Sequence, residues 1–385
     1  MGLIETSKRE ILRLLSRKIY LWAMLIIPIG CACFFLSLMH NGLPIKVPVA
    51  VVDLDNSTLS RQITTNLNSS QDVEIRHYLN SYHEAIDQIN AGNIFGFILI
   101  PNNLEQESFN GHAPTLTYYS NMTYYIPGTL SFKGFKTIAI STTSTLVKEQ
   151  LTSLGLNNNQ ANSLLQPLAI QEHLIGNPWI NYSVYLCNSF IPAIIALMVM
   201  LVTSFSICEE IKQRSSIKWI NDANNSIHYA LLGKLLPHTL IFSIVGIFIL
   251  LLFYGFNHFP IKNSFLIMIG AMIMLIISCQ AFALIICCIL PNLRLALSVV
   301  SLLGILSFSI TGFSFPLEDM YGSIAIFSHI IPVRYYFLIY IDQALNGISL
   351  YYSQWYFIAL CIFPLIPLSL LWRLKRACLN PVYVP

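Results

Sequence analysis

Apolar and polar positions fall into long blocks along this chain. Six predominantly apolar runs, at 19–39, 185–207, 235–256, 265–290, 295–315 and 356–372, contain no Asp, Glu, Lys or Arg. Each approaches the roughly 20 residues a helix needs to cross the bilayer core. Each Leu, Ile, Phe or Val near a span centre favours insertion by about 0.3–0.6 kcal/mol, so six transmembrane helices are expected. The first run has a basic flank from Lys8 to Lys18, as a signal peptide would. No A-x-A-like site follows its apolar core, so a retained helix is expected.

A long polar segment separates the first run from the second. Within it, short apolar stretches bounded by turn residues predict strands at 47–52, 73–78, 94–100 and 115–119. Helical patterns follow Asn56 or Ser57 as cap, run from Tyr82 to Ile89, and extend from Pro127 to Glu172. The expected fold class is an α-helical membrane protein with six transmembrane helices. An α/β extracytoplasmic domain is inserted between the first and second helices. The divisions are an interfacial amphipathic helix at 1–18, the first span at 19–39, the α/β domain at 40–184, a five-helix block at 185–372 and a tail at 373–385. The block includes a loop at 208–234 and a re-entrant segment at 313–353 that is too polar for a span and too apolar for a free loop.

Composition turns this pattern into a class. Of 385 residues, 55% are hydrophobic and 10% charged, against roughly a quarter charged in soluble domains. Mean hydropathy is +0.64. So few charges could not cover a soluble globule of this size, so an integral membrane protein is expected. The net charge of +3 and the absence of aromatic-interleaved basic clusters argue against nucleic acid as a partner. The nine cysteines lie in or beside apolar runs without metal-site spacing and read as small hydrophobes.

Basic residues set the expected orientation. Thirteen Lys and Arg side chains, from 8–18, 212–234, 294 and 373–376, share one side if both ends of the chain are cytoplasmic. The segment 40–184 is then extracytoplasmic. Trp179, Tyr182 and Tyr185, with Trp355 and Tyr356, mark outer boundaries, and Trp372 an inner one.

The chain has no G-x-x-x-x-G-K-[ST], G-x-S-x-G or H-E-x-x-H. No catalytic residue, metal site or cofactor is therefore expected on it. Asp53 and Asp55 read as a capping turn without the further ligands of a Ca²⁺ loop. The histidines, among them His112, His173, His228, His238, His258 and His329, share no ligand spacing. Ion-coupled transporters normally place an ionisable group within the bilayer. With no acid in any run, the energy source is expected on a partner. Two basic segments could meet it. One is the loop with Glu209, Glu210, Lys212, Arg214, Lys218, Trp219, Gly233 and Lys234; the other is the stretch with Lys8, Arg9, Arg13, Arg17 and Lys18. In the second, Ile4, Ile11, Leu14, Leu15 and Ile19 share a helical face, as in a helix lying among lipid headgroups. Each segment could equally be a membrane anchor. Arg334 could pair with Glu318, Asp319 or Asp342.

The order of parts resembles the permease subunit of an ABC transporter of the type-2 export class. The resemblance rests on the basic N-terminal helix, the span and outer domain opening Val51-Val52-Asp53-Leu54-Asp55-Asn56-Ser57, and Asn177-Pro178. It continues in Glu209–Arg214, Gly233-Lys234-Leu235-Leu236-Pro237, Gly312, Pro316–Met320, Pro332, Tyr335, Tyr336 and Gly347. The chain departs from the family pattern at Ser215-Ser216, where Gly is common, and at Asp222-Ala223-Asn224, where Pro is expected. The resemblance implies an ATP-driven exporter of a drug, lipid or other amphipathic cargo in a bacterial inner membrane. It implies a second permease subunit as homo- or heterodimer and a cytoplasmic ATPase subunit that binds ATP and Mg²⁺. The loop 208–234 then couples to the ATPase, and Glu318, Asp319, Pro332, Arg334, Tyr335 and Tyr336 form a candidate outer gate. Membrane lipid and a periplasmic membrane-fusion adaptor complete the implied partners. A membrane-anchored surface receptor or scaffold is the alternative reading, and a secondary transporter a third.

Overall fold

The fold is taken from a computed structural model, which describes residues 2–40, 42, 44–110, 112, 114–165, 176–178, 180–313 and 315–381. His173, Trp179 and the 166–172 part of the long helical pattern lie outside them. The chain divides into two compact units, residues 1–42 with 173–385 and residues 43–172.

In chain order, the first unit opens with α1 (Gly2–Ser16) and α2 (Lys18–Leu38). The second unit holds β1 (Val47–Asp53), α3 (Thr58–Asn68), β2 (Val73–Leu79), α4 (Tyr82–Asn90), β3 (Gly96–Ile100) and α5 (Leu104–Phe109). β4 (Thr117–Ser120), α6 (Tyr125–Ser153) and α7 (Asn158–Leu165) complete it. The first unit resumes with α8 (Tyr182–Lys212), α9 (Ser216–Asp222), α10 (Ile227–Phe256), α11 (Phe265–Ile289) and α12 (Leu293–Ile310). It ends with α13 (Gly322–Ser328), α14 (Pro332–Asn346) and α15 (Leu350–Leu379).

Six helices, α2, α8, α10, α11, α12 and α15, are long and apolar enough to cross a membrane. The bent pair α13–α14, turning by 83°, would be a seventh if counted as one broken span. In α8 and α11, 67% and 72% of the most apolar stretch is buried, against 22–33% in the other four, so these two form the centre of the bundle. α8 packs against α11 and α12. On α12, Gly304 permits the contact: a Cβ there would lie 2.3 Å from Leu197 Cδ1 on α8. Small residues let membrane helices approach this closely. Pro364 and Pro367 explain why the middle of α15, Phe363–Leu370, winds as a 3₁₀ helix, because each removes an N–H from the α-helical ladder.

The α/β unit is a four-stranded sheet in the order β2-β1-β3-β4. β1 pairs in parallel with β2 and β3, and β4 runs antiparallel to β3. Alternate residues of β1 face opposite layers. Val49 and Val51 meet α3 and α6 through Leu59, Ile63 and Phe135, whereas Ala50 and Val52 meet α4 through Ala85. Burial on both faces explains why β1 reads as an unbroken apolar run. Asp53 closes the strand: its carboxylate accepts from the N–H groups of Asp55 and Asn56, at 3.0 Å each, and from the Ser60 hydroxyl at 2.7 Å. Ser57 caps α3 by accepting from the Ser60 N–H. Among the described residues no three His, Cys, Asp or Glu side chains gather as a metal site.

Candidate functional site

The side of α1 that faces the protein is not its apolar side. Gly2, Thr6, Glu10 and Leu14, one every fourth residue, are buried. Residues four apart share a helical face. Ile4 and Leu15 are 72% and 80% exposed on the other side, where they fit a lipid surface.

The polar stripe docks on the start of α10. Gly233 makes this possible: a Cβ there would lie 1.9 Å from Thr6 Oγ1 and 3.0 Å from the Leu3 carbonyl. One turn on, Glu10 enters a buried ionic network. Its Oε2 accepts from Lys234 Nζ at 2.7 Å, and its Oε1 lies 3.0 Å from His238 Nε2 and accepts from the Ser206 hydroxyl at 3.1 Å. Since a carboxylate only accepts, the His238 Nε2 carries the proton toward it. Lys234 also donates to Glu210 at 3.2 Å and stands 5.1 Å from the centre of the Trp219 ring. Arg9 bridges Glu210 at 3.1 Å and Asp222 at 3.3 Å. Arg13 pairs with both Glu209 and Glu210, and Arg17 with Glu209.

The network is balanced. Four carboxylates, Glu10, Glu209, Glu210 and Asp222, meet four cations, Arg9, Arg13, Arg17 and Lys234. Burial alone would raise the Glu10 carboxyl. The His238 hydrogen bond and the Lys234 charge outweigh it and hold the group well below the usual carboxylate range. Desolvation lowers the Arg13 guanidinium, but Glu210, with Tyr20, Glu10 and Glu209, together outweigh it, so Arg13 is held more firmly protonated than usual.

Of the residues expected to contact a partner, Glu209, Glu210, Trp219, Gly233 and Lys234 are buried inside the chain. Lys212, Arg214 and Lys218 are exposed on the turn between α8 and α10, and Lys8 and Lys18 are exposed on α1 and α2. The turn manages without the expected Gly and Pro. Arg214 takes the left-handed conformation at φ 56°, as do Asn224 and Asn225 at 56° and 59°. The Ser215 N–H donates to the Glu210 carbonyl, and the Ser216 hydroxyl donates to the Cys378 carbonyl at 2.7 Å. Trp219 anchors the short α9 by donating its indole N–H to the Ala230 carbonyl.

Glu10 and His238 belong to this site, and sequence reasoning singled out neither. The helices outrun their apolar cores: α8 extends to Lys212 and α10 begins at Ile227, so Glu209, Glu210 and Lys234 lie on the ends of span helices. The four-residue spacing of Lys234 and His238 on one helix was the available signal.

At the other end of the first unit, Arg334 does not pair with a carboxylate among the described residues. Its Nη1 donates to the Thr311 carbonyl at 3.1 Å, at the end of α12. Asp342 accepts instead from the Ser353 hydroxyl at 2.9 Å. Glu318 and Asp319 are exposed on a single 3₁₀ turn. Pro332 starts α14, Tyr336 is buried, and the Tyr335 hydroxyl donates to the His329 carbonyl across the bend.

The profile of the ABC-2 family transporter proteins matches residues 18–373. A protein of Dictyostelium discoideum, ABC transporter G family member 20, is 24% identical over 363 residues, covering 91% of this chain and 47% of the relative. The chain thus spans about half the length of that curated relative.

Proposed function

Because this chain belongs to the ABC-2 transporter family as a multi-pass membrane permease, we propose that it forms the path of an ATP-driven exporter whose energy comes from a separate ATP-binding subunit. ATP and Mg²⁺ are bound by that subunit, and the permease works as a homo- or heterodimer in a bacterial inner membrane. Both ends of the chain face the cytoplasm and residues 40–184 lie outside. The cargo is an amphipathic or hydrophobic molecule, passed outward beneath the bent α13–α14 segment. A periplasmic adaptor is compatible with the outer domain.

The observation that carries the coupling reading is the buried ionic network. It ties α1, the end of α8, α9 and the start of α10 into one piece, and presents Lys212, Arg214 and Lys218 on its exposed rim. A displacement applied to that rim moves α8 as a unit, and α8 is one of the two central helices. Nucleotide state on the partner then biases a two-state bundle through contacts that differ between the states.

The test is co-purification with the proposed ATP-binding subunit. Arg214→Glu with Lys218→Glu should abolish complex formation and ATPase stimulation, since a like-charge clash costs several kcal/mol. The melting temperature of the permease should be unchanged. A complex that survives both reversals with full stimulation would refute the assignment.

A further inference from the structure

α10 and α15 each pack on α11, and between them runs a groove of about 330 Å³, within the ~300–1,000 Å³ usual for small-molecule sites. Short side chains leave the hollow: Ala281 on α11, with Pro364 and Pro367 on α15, stand where longer ones would fill it. Leu231, Gln280, Ala281 and Leu371 form a buried floor. Leu232, Leu236 and Leu368 form half-exposed lips. At the deep end a polar pair is satisfied within the protein. The Thr239 hydroxyl donates to Gln280 Oε1 at 2.8 Å, and the Gln280 amide reaches the Leu235 carbonyl at 3.5 Å. No Asp, Glu, Lys or Arg lines the groove.

From His228 to Thr239 the α10 wall rises about 16 Å at ~1.5 Å per residue, the depth of about one leaflet in a ~30 Å hydrocarbon core. The groove thus has the length and the polarity of one acyl chain. Tyr229 and Trp372, 53% and 64% exposed beside His228 and Leu371, mark its mouth as the headgroup level. The charge at that level is positive. Lys375 follows Leu371 by one turn on the same face of α15, and its Nζ donates to the Asn225 carbonyl at 2.8 Å, three residues before His228. That bond uses one of the three ammonium donors, and among the described residues no carboxylate pairs with Lys375. An apolar slot one leaflet deep, with an unneutralised ammonium at its mouth, complements a lipid whose phosphate has no amine of its own beside it.

We propose that this groove binds one molecule of an anionic phospholipid from the surrounding bilayer, with an acyl chain between α10 and α15 and the phosphate at Lys375. The inference rests on the membrane-spanning bundle alone and is independent of the coupling to an ATPase.

The test uses the full chain in phosphatidylcholine nanodiscs containing a trace of phospholipid with a diazirine in one acyl chain. The probe is either a phosphatidylglycerol or a phosphatidylcholine, and adducts are mapped by mass spectrometry. The phosphatidylglycerol probe should label 231–239, 277–284 and 364–371 about fivefold more than the phosphatidylcholine probe, the worth of one lysine at a membrane surface. Lys375→Gln should erase that preference, and Lys375→Arg should keep it. Ala281→Phe fills the hollow from the α11 side and should abolish labelling of these segments by both probes; if that variant does not fold, the two Lys375 variants decide. Equal labelling by both probes in the parent, as for lipid passing over an ordinary surface, would overturn the proposal. So would an absence of adducts in these segments, as for a groove covered by protein, or a preference that persists in folded Lys375→Gln.

Discussion

Lys234 is the residue on which the buried charge network turns, because among the described residues it alone forms ion pairs with both Glu10 and Glu210. Removing one partner of a buried pair leaves an uncompensated charge and costs about 3–5 kcal/mol. Lys234→Met should therefore lower the melting temperature of the purified chain sharply, while Lys218→Met on the exposed rim should stay within about 0.5 kcal/mol of the parent. Equal shifts would contradict the arrangement. The depressed Glu10 carboxyl makes a second prediction. A group held below its ordinary value of 4.5 contributes stability that is complete above that value and is lost as pH falls toward its folded-state titration. The gap in melting temperature between the parent and Glu10→Gln should be constant from neutral pH to about 5 and shrink below that. Lys234 and the two glutamates were legible as candidates, because a charge beside an apolar run is unusual. Glu10 was not: the apolar residues of its helix announce the lipid side, and its partners lie more than 190 positions away in the sequence.

At the scale of elements, hydropathy located each crossing helix but not its ends. Apolar windows record where side chains need lipid or core. A helix continues past that window wherever its polar residues find partners, as α8 does through Glu209 and Glu210. The strands were legible from their β-branched runs, and Ser57 as a cap from its position before an amphipathic stretch. Ser57→Ala should cost about 1 kcal/mol, read as faster hydrogen exchange in 58–68. The docking of α1 on α10 depends on one missing side chain. Gly233→Ala places a methyl group against Thr6 and the Leu3 carbonyl. It should raise hydrogen exchange throughout 2–16, with the central helices unaffected. An α1 that stays protected in this variant would show that the close approach is not what seats it.

For the whole molecule, the proposed orientation is the claim with the widest reach. In a chain whose exposed Cys33 and Cys361 are replaced by alanine, Lys133→Cys should react with an impermeant maleimide added outside intact cells. Lys218→Cys should react only after the cells are opened. The reverse pattern would invert the molecule and remove the docking rim from any cytoplasmic ATPase. The division into a helical bundle and an inserted α/β unit was plain in the blocks of composition. The fit of one face of α1 to three other helices was not, because nothing local in the sequence encodes a contact between distant segments.

That distance has a consequence for how the protein is made. Glu10 and Lys234 are separated by 224 positions. At about 5–20 residues added per second, the ribosome delivers Lys234 roughly 10–45 s after Glu10. Throughout that interval the nascent first helix carries its acid and arginines without their eventual mates, and only headgroups and water can hold them. Closure of this face is thus a late event in biogenesis, and a stalled or truncated translation product is left with an open, sticky end.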